Sequence, residues 1–289
     1  MRHFPSLLFV CALFILTAFF YSQTKPYLPT NEAEAGQATY QIKSAEGDLA
    51  SPSISASSYL VFDLETAQVL LEHNPDQVLP IASVTKLFTA VALIQNYLLE
   101  ATTTITWSDL ATEGEAGKLR FGQTYSYREL LSPLLLESSN DVSSALVRAT
   151  DYSLVSLMNE FVKNNGANKT TFFDASGLDE RNVSTATELA SLVRVINIQE
   201  RYIFDITQLP QYIGPYTGWL NNNPVHTFSG YRGGKHGYTL AANRTLVALI
   251  DQPFKADNRM LGYILLGSDN LQSDVTKLQS FITNSVDYK

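Results

Sequence analysis

Hydrophobic patterning changes along this chain in a way that permits few architectures. Strand-like runs occur near both ends of its globular stretch, and helical periodicity fills the middle. Tyr59-Leu-Val-Phe62 and Gln68-Val-Leu-Leu71 read as two strands joined by a turn at Glu65-Thr66-Ala67. Strands return at Gly234–Ala242, Thr245–Ile250 and Met260–Leu266. Between them, one helical face runs from Ser83 through Leu87, Ala90, Val91 and Ile94. Further helices are expected over Tyr127–Leu136, Asn140–Thr150, Ser153–Asn164 and Thr185–Asn197, and Asp274–Ile282 reads as a closing helix with Ser273 as N-cap. Strands at both ends must satisfy their edges by pairing with one another. The expected fold class is therefore α+β: one antiparallel sheet built from both chain ends, flanked by helices, with an inserted all-helical region.

The globular stretch does not begin at residue 1. After the basic cap Met1-Arg2-His3, the run from Ser6 to Tyr21 is almost wholly apolar. It reads as a signal anchor or signal peptide over residues 1–22, at the border in length between the two. Bulky Phe20 and Tyr21 stand where small residues favour cleavage, so an uncleaved anchor is expected. The rest of the chain then lies at the outer face of the cytoplasmic membrane, or is secreted if the segment is cut. Residues 23–56 are rich in Pro, Ser, Ala, Glu and Gln and are expected to form a flexible linker, spanning about 30 Å on average. Residues 57–289 form the folded domain.

The formal net charge of -8 argues against nucleic acid as a partner, because phosphates need clustered Lys and Arg. The single cysteine, Cys11, excludes an intrachain disulfide and a cysteine-based zinc site. No metal-ligand spacing or phosphate loop is found, and neither metal nor cofactor is expected.

Three short segments can carry chemistry. In Ile81-Ala82-Ser83-Val84-Thr85-Lys86, a lysine three residues after a serine lies on the same helical face. Burial would lower the lysine pKa and let its neutral amine take the serine proton. A plain helix cap with a surface lysine fits the same residues, and Ser22-Gln-Thr-Lys25 repeats the spacing in the linker. In Ser138-Ser139-Asn140, Ser138 could relay a proton and Asn140 could orient Lys86 and hold a substrate amide; the segment also reads as a helix cap. In Gly233-Gly-Lys-His-Gly-Tyr-Thr239, glycines allow close approach of a strand to a ligand, and Lys235 supplies positive charge for a carboxylate.

Together and in this order, the three segments resemble the signature of the D-alanyl-D-alanine carboxypeptidase family of low-molecular-mass penicillin-binding proteins. The resemblance runs from about Ser57 to the C-terminus. It includes Leu134-Leu-Leu-Glu-Ser-Ser-Asn-Asp141, Ser176-Gly-Leu-Asp179 and Leu220-Asn-Asn-Asn223. It implies a fold like that of β-lactamases and penicillin-binding proteins. It also implies a serine DD-peptidase that acts on peptidoglycan stem peptides and reacts with β-lactams. By resemblance, Ser83 is the nucleophile, Lys86 the base, and Ser138 and Asn140 complete the relay. Lys235, His236, Gly237 and Tyr238 bind substrate, with an oxyanion hole from the N–H groups of Ser83 and Tyr238. Arg259, or less favourably Arg244, takes the terminal carboxylate. His236 departs from the family, which carries Thr or Ser there; a protonated imidazole would strengthen carboxylate binding.

Carboxypeptidase and endopeptidase use the same residues, and a chain that ends soon after the catalytic domain is expected to lean toward the second. A class A-like β-lactamase would need an additional basic glutamate, and no E-x-x-L-N follows Asn140. A weakly catalytic cell-wall-binding scaffold would rest on His236 alone.

Overall fold

A computed structural model of the chain describes residues 40–42, 52–114, 116–255 and 257–288. Its strands in chain order are β1 (Tyr40–Ile42), β2 (Ser58–Asp63), β3 (Val69–His73), β4 (Leu79–Pro80), β5 (Thr102–Thr104), β6 (Thr124–Ser126), β7 (Val183–Ser184), β8 (Gln211–Ile213), β9 (Gly218–Leu220), β10 (Tyr231–Thr239), β11 (Asn243–Pro253), β12 (Asn258–Ser268) and β13 (Val286–Tyr288). The helices are α1 (Thr85–Asn96), α2 (Tyr127–Leu136), α3 (Asn140–Ala149), α4 (Leu154–Asn164), α5 (Ala186–Gln199), α6 (Tyr202–Gln208) and α7 (Leu271–Ser285).

The main sheet is antiparallel in the order β10-β11-β12-β2-β3, so its members do come from both chain ends. Side-chain alternation divides β2, β11 and β12 between two cores. Leu60 and Phe62 of β2, with Val247, Leu249, Ile264 and Leu266, meet the helical region through residues such as Leu87, Val91, Leu134 and Val193. Tyr59 and Val61, with Leu246, Ala248, Leu261 and Tyr263, meet Leu271, Val275, Leu278 and Ile282 of α7. Cover on both faces explains why every residue of β2 is buried.

Capping chemistry places several helix starts. Ser126 accepts from Glu129 N at 3.2 Å while Glu129 Oε2 accepts from Ser126 N at 2.7 Å, which opens α2 at Tyr127. Thr185 caps α5 by accepting Glu188 N at 3.1 Å. The closing helix starts earlier than expected. Asn270, not Ser273, is its N-cap, and the Asn270 side chain accepts the Ser273 N–H at 3.0 Å.

Part of the stretch read as linker belongs to the fold. Strand β1 pairs with β13, and the Tyr40 hydroxyl donates to Asp63 Oδ2 at 2.5 Å. Ser55 N and Ala56 N donate to Asp274 on α7 at 3.0 and 3.1 Å, which ties residues 55–56 down before β2 begins. Backbone pairing and a buried carboxylate outweigh the polar composition there. The apolar run of residues 1–22, and Ser22 and Lys25, lie outside the described residues. Among those described, no helix is long and apolar enough to cross a membrane.

Candidate active site

Ser83 sits in a 3-10 turn, Ala82–Val84, directly before α1. The turn is strained and held on both sides. Ala82 has φ +47°, outside the usual range for a residue with a side chain. Ile81 N donates to Asn182 O at 3.0 Å, and the Thr245 hydroxyl of β11 donates to Ile81 O at 2.8 Å. The Asn182 side chain reaches Thr85 Oγ1 at 3.2 Å. Behind the turn, Gly177 has φ +85°, and a Cβ there would lie 2.0 Å from Ala82 O. Only glycine lets the Ser176-Gly177 backbone come this close.

One turn of helix later, Lys86 is fully buried. Its Nζ lies 2.8 Å from Asn140 Oδ1, 2.6 Å from Ser176 O and 3.1 Å from Ser83 Oγ. Two of these neighbours can only accept. A neutral amine has two N–H groups, which they consume, and its lone pair is left facing the serine hydroxyl. Burial pulls the Lys86 pKa down to about 7, although the Asp174 carboxylate pulls the other way. The lysine can thus be a neutral base near neutral pH. Asp174 was not singled out from the sequence. Its carboxylate accepts the N–H groups of Ser176, Gly177 and Asp179 at 2.5–2.6 Å, and so shapes the turn whose carbonyl holds Lys86.

In the second segment the cap and the chemistry fall on different residues. Ser139 caps α3, accepting from Val142 N at 3.2 Å, and donates to Ala116 O at 2.7 Å. Asn140 accepts from Lys86 and donates to Glu113 O at 2.7 Å. Ser138 holds φ +64°, a strained conformation at the junction of α2 and α3. Its hydroxyl makes no hydrogen bond to Ser83, Lys86 or Asn140.

The third segment lies on β10, an edge strand of the sheet, and runs past Ser83. A Cβ on Gly237 would stand 2.5 Å from Ser83 N and 2.9 Å from Ala82 Cβ, so glycine is required for the strand to lie against the serine N–H. Tyr238 follows, largely exposed, with the Arg244 guanidinium 5.2 Å over its ring. Lys235 is buried and donates to His236 O at 2.8 Å; burial, and then the nearby Lys86, depress its pKa strongly. Burial, then Lys235 and Lys86, hold His236 down to about 3. The expected imidazolium does not form in these surroundings, and the ring stays neutral with its Nδ1 buried and without a hydrogen-bond partner.

Arg259 is not part of this site. Its guanidinium grips the buried Asp63 of β2 at 2.8 and 3.1 Å and pairs with Glu65 at 2.8 Å. Burial alone would raise the Asp63 pKa, but Arg259, Thr66 N–H and the Tyr40 hydroxyl outweigh it and hold the carboxyl at about 2. Both partners are committed to closing the sheet, and Arg259 pairs across it with Gln252, seven residues along β11 from the Thr245 that touches the Ser83 turn. Arg244 is exposed and is paired across the sheet with Tyr238 on β10, the strand that passes Ser83.

Comparison with known proteins agrees with this geometry. A family model described as D-alanyl-D-alanine carboxypeptidase matches residues 45–259. A D-alanyl-D-alanine endopeptidase of Haemophilus influenzae is 38% identical over 144 residues, 48% of this chain and 49% of that protein. A D-alanyl-D-alanine carboxypeptidase of Mycobacterium tuberculosis is 29% identical over 211 residues, 70% of this chain and 72% of that one. The crystal structure of a D-alanyl-D-alanine carboxypeptidase from Mycobacterium tuberculosis H37Rv superposes with a TM-score of 0.73 at 26% identity, covering 82% of this chain and 94% of that one. The chain spans about half the length of the endopeptidases it matches, 47–53% of each.

Proposed function

The chain belongs to the D-alanyl-D-alanine carboxypeptidase family, and on that premise we propose that it is a serine DD-peptidase that cleaves peptidoglycan stem peptides through an acyl-enzyme on Ser83. The observation that carries this reading is the bond pattern around Lys86, whose lone pair is left for the serine proton. Ser83 Oγ attacks the carbonyl on the N-terminal side of the scissile bond, and Lys86 takes its proton. The carbonyl oxygen, now negative, is held by the N–H groups of Ser83 and Tyr238, which the absence of a Cβ on Gly237 brings together. Lys86 returns the proton to the leaving amine, and water then releases the acyl group. A substrate carboxylate restores the charge of Lys235, which burial otherwise suppresses.

We favour cross-linked peptides as the substrate, because three relatives, at 38%, 34% and 30% identity, are endopeptidases by name, although a fourth at 30% is a carboxypeptidase by name. The apolar run of residues 1–22 is proposed to hold the enzyme at the outer face of the cytoplasmic membrane. Digestion of purified muropeptides tests the activity. The protein should convert D,D-cross-linked dimers to monomers, and Ser83→Ala should not. Failure to cut either dimers or pentapeptide monomers would sink the proposal; cutting pentapeptides alone would leave a carboxypeptidase.

A further inference from the structure

A stacked aromatic pair stands on the surface, outside the machinery above. The rings of Trp107 and Phe121 lie 4.7 Å apart with planes 8° from parallel, yet the two residues are 68% and 55% exposed. Single exposed aromatics are ordinary, whereas an exposed stack is an apolar patch that water leaves unsatisfied. The backbone holds the stack in place. Ile105 N donates to Gln123 O at 2.9 Å, and Gly122 N donates to Ile105 O at 2.9 Å. Asp109 accepts from Thr106 N at 2.8 Å and is gripped by Arg148 of α3. Arg120, Phe121 and Gln123 share one turn. That turn is also a wall of a cleft of about 330 Å³, lined by Lys118, Leu119, Arg120, Gln123, Tyr216 and Thr217.

We propose that the Trp107–Phe121 platform and this adjoining cleft bind a carbohydrate chain of acetylated amino sugars. Stacking covers one face of each ring, and the high exposure of both residues leaves apolar ring surface to solvent, suited to the C–H face of a sugar ring. The cleft beside it offers an amide, a guanidinium and two hydroxyls, donors and acceptors suited to sugar hydroxyls and acetamido groups. Tyr216 is fixed for this role, with its hydroxyl donating to Thr124 O at 3.3 Å and its ring edge-on to Tyr125. A membrane surface fits less well, since it asks for a cluster of free cations and Arg120 stands alone here. Lys118 is already paired with Glu137 at 3.0 Å and donates to Gly218 O at 2.9 Å. Which polymer is bound rests on the peptidoglycan reading above: the site would hold the glycan strand while Ser83 works on the peptide.

The chain has two tryptophans, and Trp219 is fully buried, so a ligand-induced change in fluorescence reports on Trp107. The full chain is titrated with tri-N-acetylchitotriose, with iodide quenching as a second readout. We expect a saturable change and protection from iodide. Phe121→Ala and Tyr216→Ala should each weaken binding about tenfold, the scale of one truncated aromatic contact. Trp107→Ala should lose co-sedimentation with insoluble chitin. All three should keep wild-type penicillin acylation of Ser83. Absence of a saturable response in the wild type overturns the proposal, as does binding unchanged in the Phe121 and Tyr216 variants. A response to phosphatidylglycerol vesicles but not to the sugar also overturns it, and reassigns the platform to the membrane. Failure of the peptidase reading shows separately, as absence of a Ser83 adduct.

Discussion

Acylation of Ser83 should follow the neutral fraction of Lys86 as pH is lowered. The amine is fully buried, and burial brings its pKa to about 7 against the opposing pull of Asp174. At pH 6 only about one lysine in eleven is neutral, and at pH 5 about one in a hundred, so acylation should fall roughly tenfold per unit below pH 6. The assay is stopped-flow or quenched labelling with a fluorescent penicillin between pH 5 and 9. Two variants identify the titrating group. Asp174→Asn removes the charge that stabilises the lysine cation, so the acidic limb should move to lower pH; circular dichroism checks that the Ser176 turn survives. His236→Thr should leave the limb where it is, because His236 is neutral above about pH 3. A rate that is flat from pH 5 to 8, or a limb that disappears in His236→Thr, would refute the assignment of Lys86 as the base.

Other expectations follow from the same contacts. Gly237→Ala places a Cβ 2.5 Å from Ser83 N and should lower acylation about 10²–10³-fold, the scale of one lost oxyanion donor; a rate within a few-fold of wild type would remove the close-approach argument. Arg259→Leu strands the buried Asp63 carboxylate and should cost about 3–5 kcal/mol in urea unfolding, while the folded protein still acylates normally. A stable Arg259→Leu protein that no longer acylates would return this arginine to the site. Because the folded state holds Lys86 below its usual pKa, the unfolded chain binds more protons between about pH 7 and 10, and stability should rise with pH there. That slope, measured by chemical denaturation from pH 7 to 9, should be smaller in Lys86→Met.

Local signals explain what could be read from the chain alone. Helix α2 matches its expected span because Ser126 and Glu129 form a reciprocal cap, which two residues three apart suffice to announce. Apolar runs placed β2, β3, β11 and β12, although pairing extends β11 and β12 past them, to Pro253 and Asn258. Strand β10, expected at Gly234–Ala242, instead runs Tyr231–Thr239, because its Gly-rich sequence carries no apolar period and the chain turns back at Thr239 to pair with Asn243. The proximity of Ser83 to Lys86 was legible because residues three apart at a helix start share a face, and Asn140 joins them in the fold. Long-range charge pairing was not. Arg259 looked free at a strand start, yet its partner Asp63 is 196 residues away in sequence and adjacent only once the sheet closes. The neutrality of His236 comes from burial beside two lysines, one of them on another element. Asp174 acts through backbone N–H groups, which leave no mark on residue identity beyond a turn. The pairing of β1 with β13 joins two three-residue segments too short to carry a period.

The measurement that bears most directly on the mechanism is the site of covalent attachment. The folded full chain is incubated with a labelled penicillin near pH 8, where most of Lys86 is neutral, then digested, and the modified peptide is sequenced by mass spectrometry. The adduct should lie on Ser83, in the peptide containing Ile81-Ala-Ser-Val-Thr-Lys86, and should vanish in Ser83→Ala. An adduct on Ser138 or any other residue, or no adduct in protein shown to be folded, would contradict the assignment of Ser83 and Lys86 as nucleophile and base.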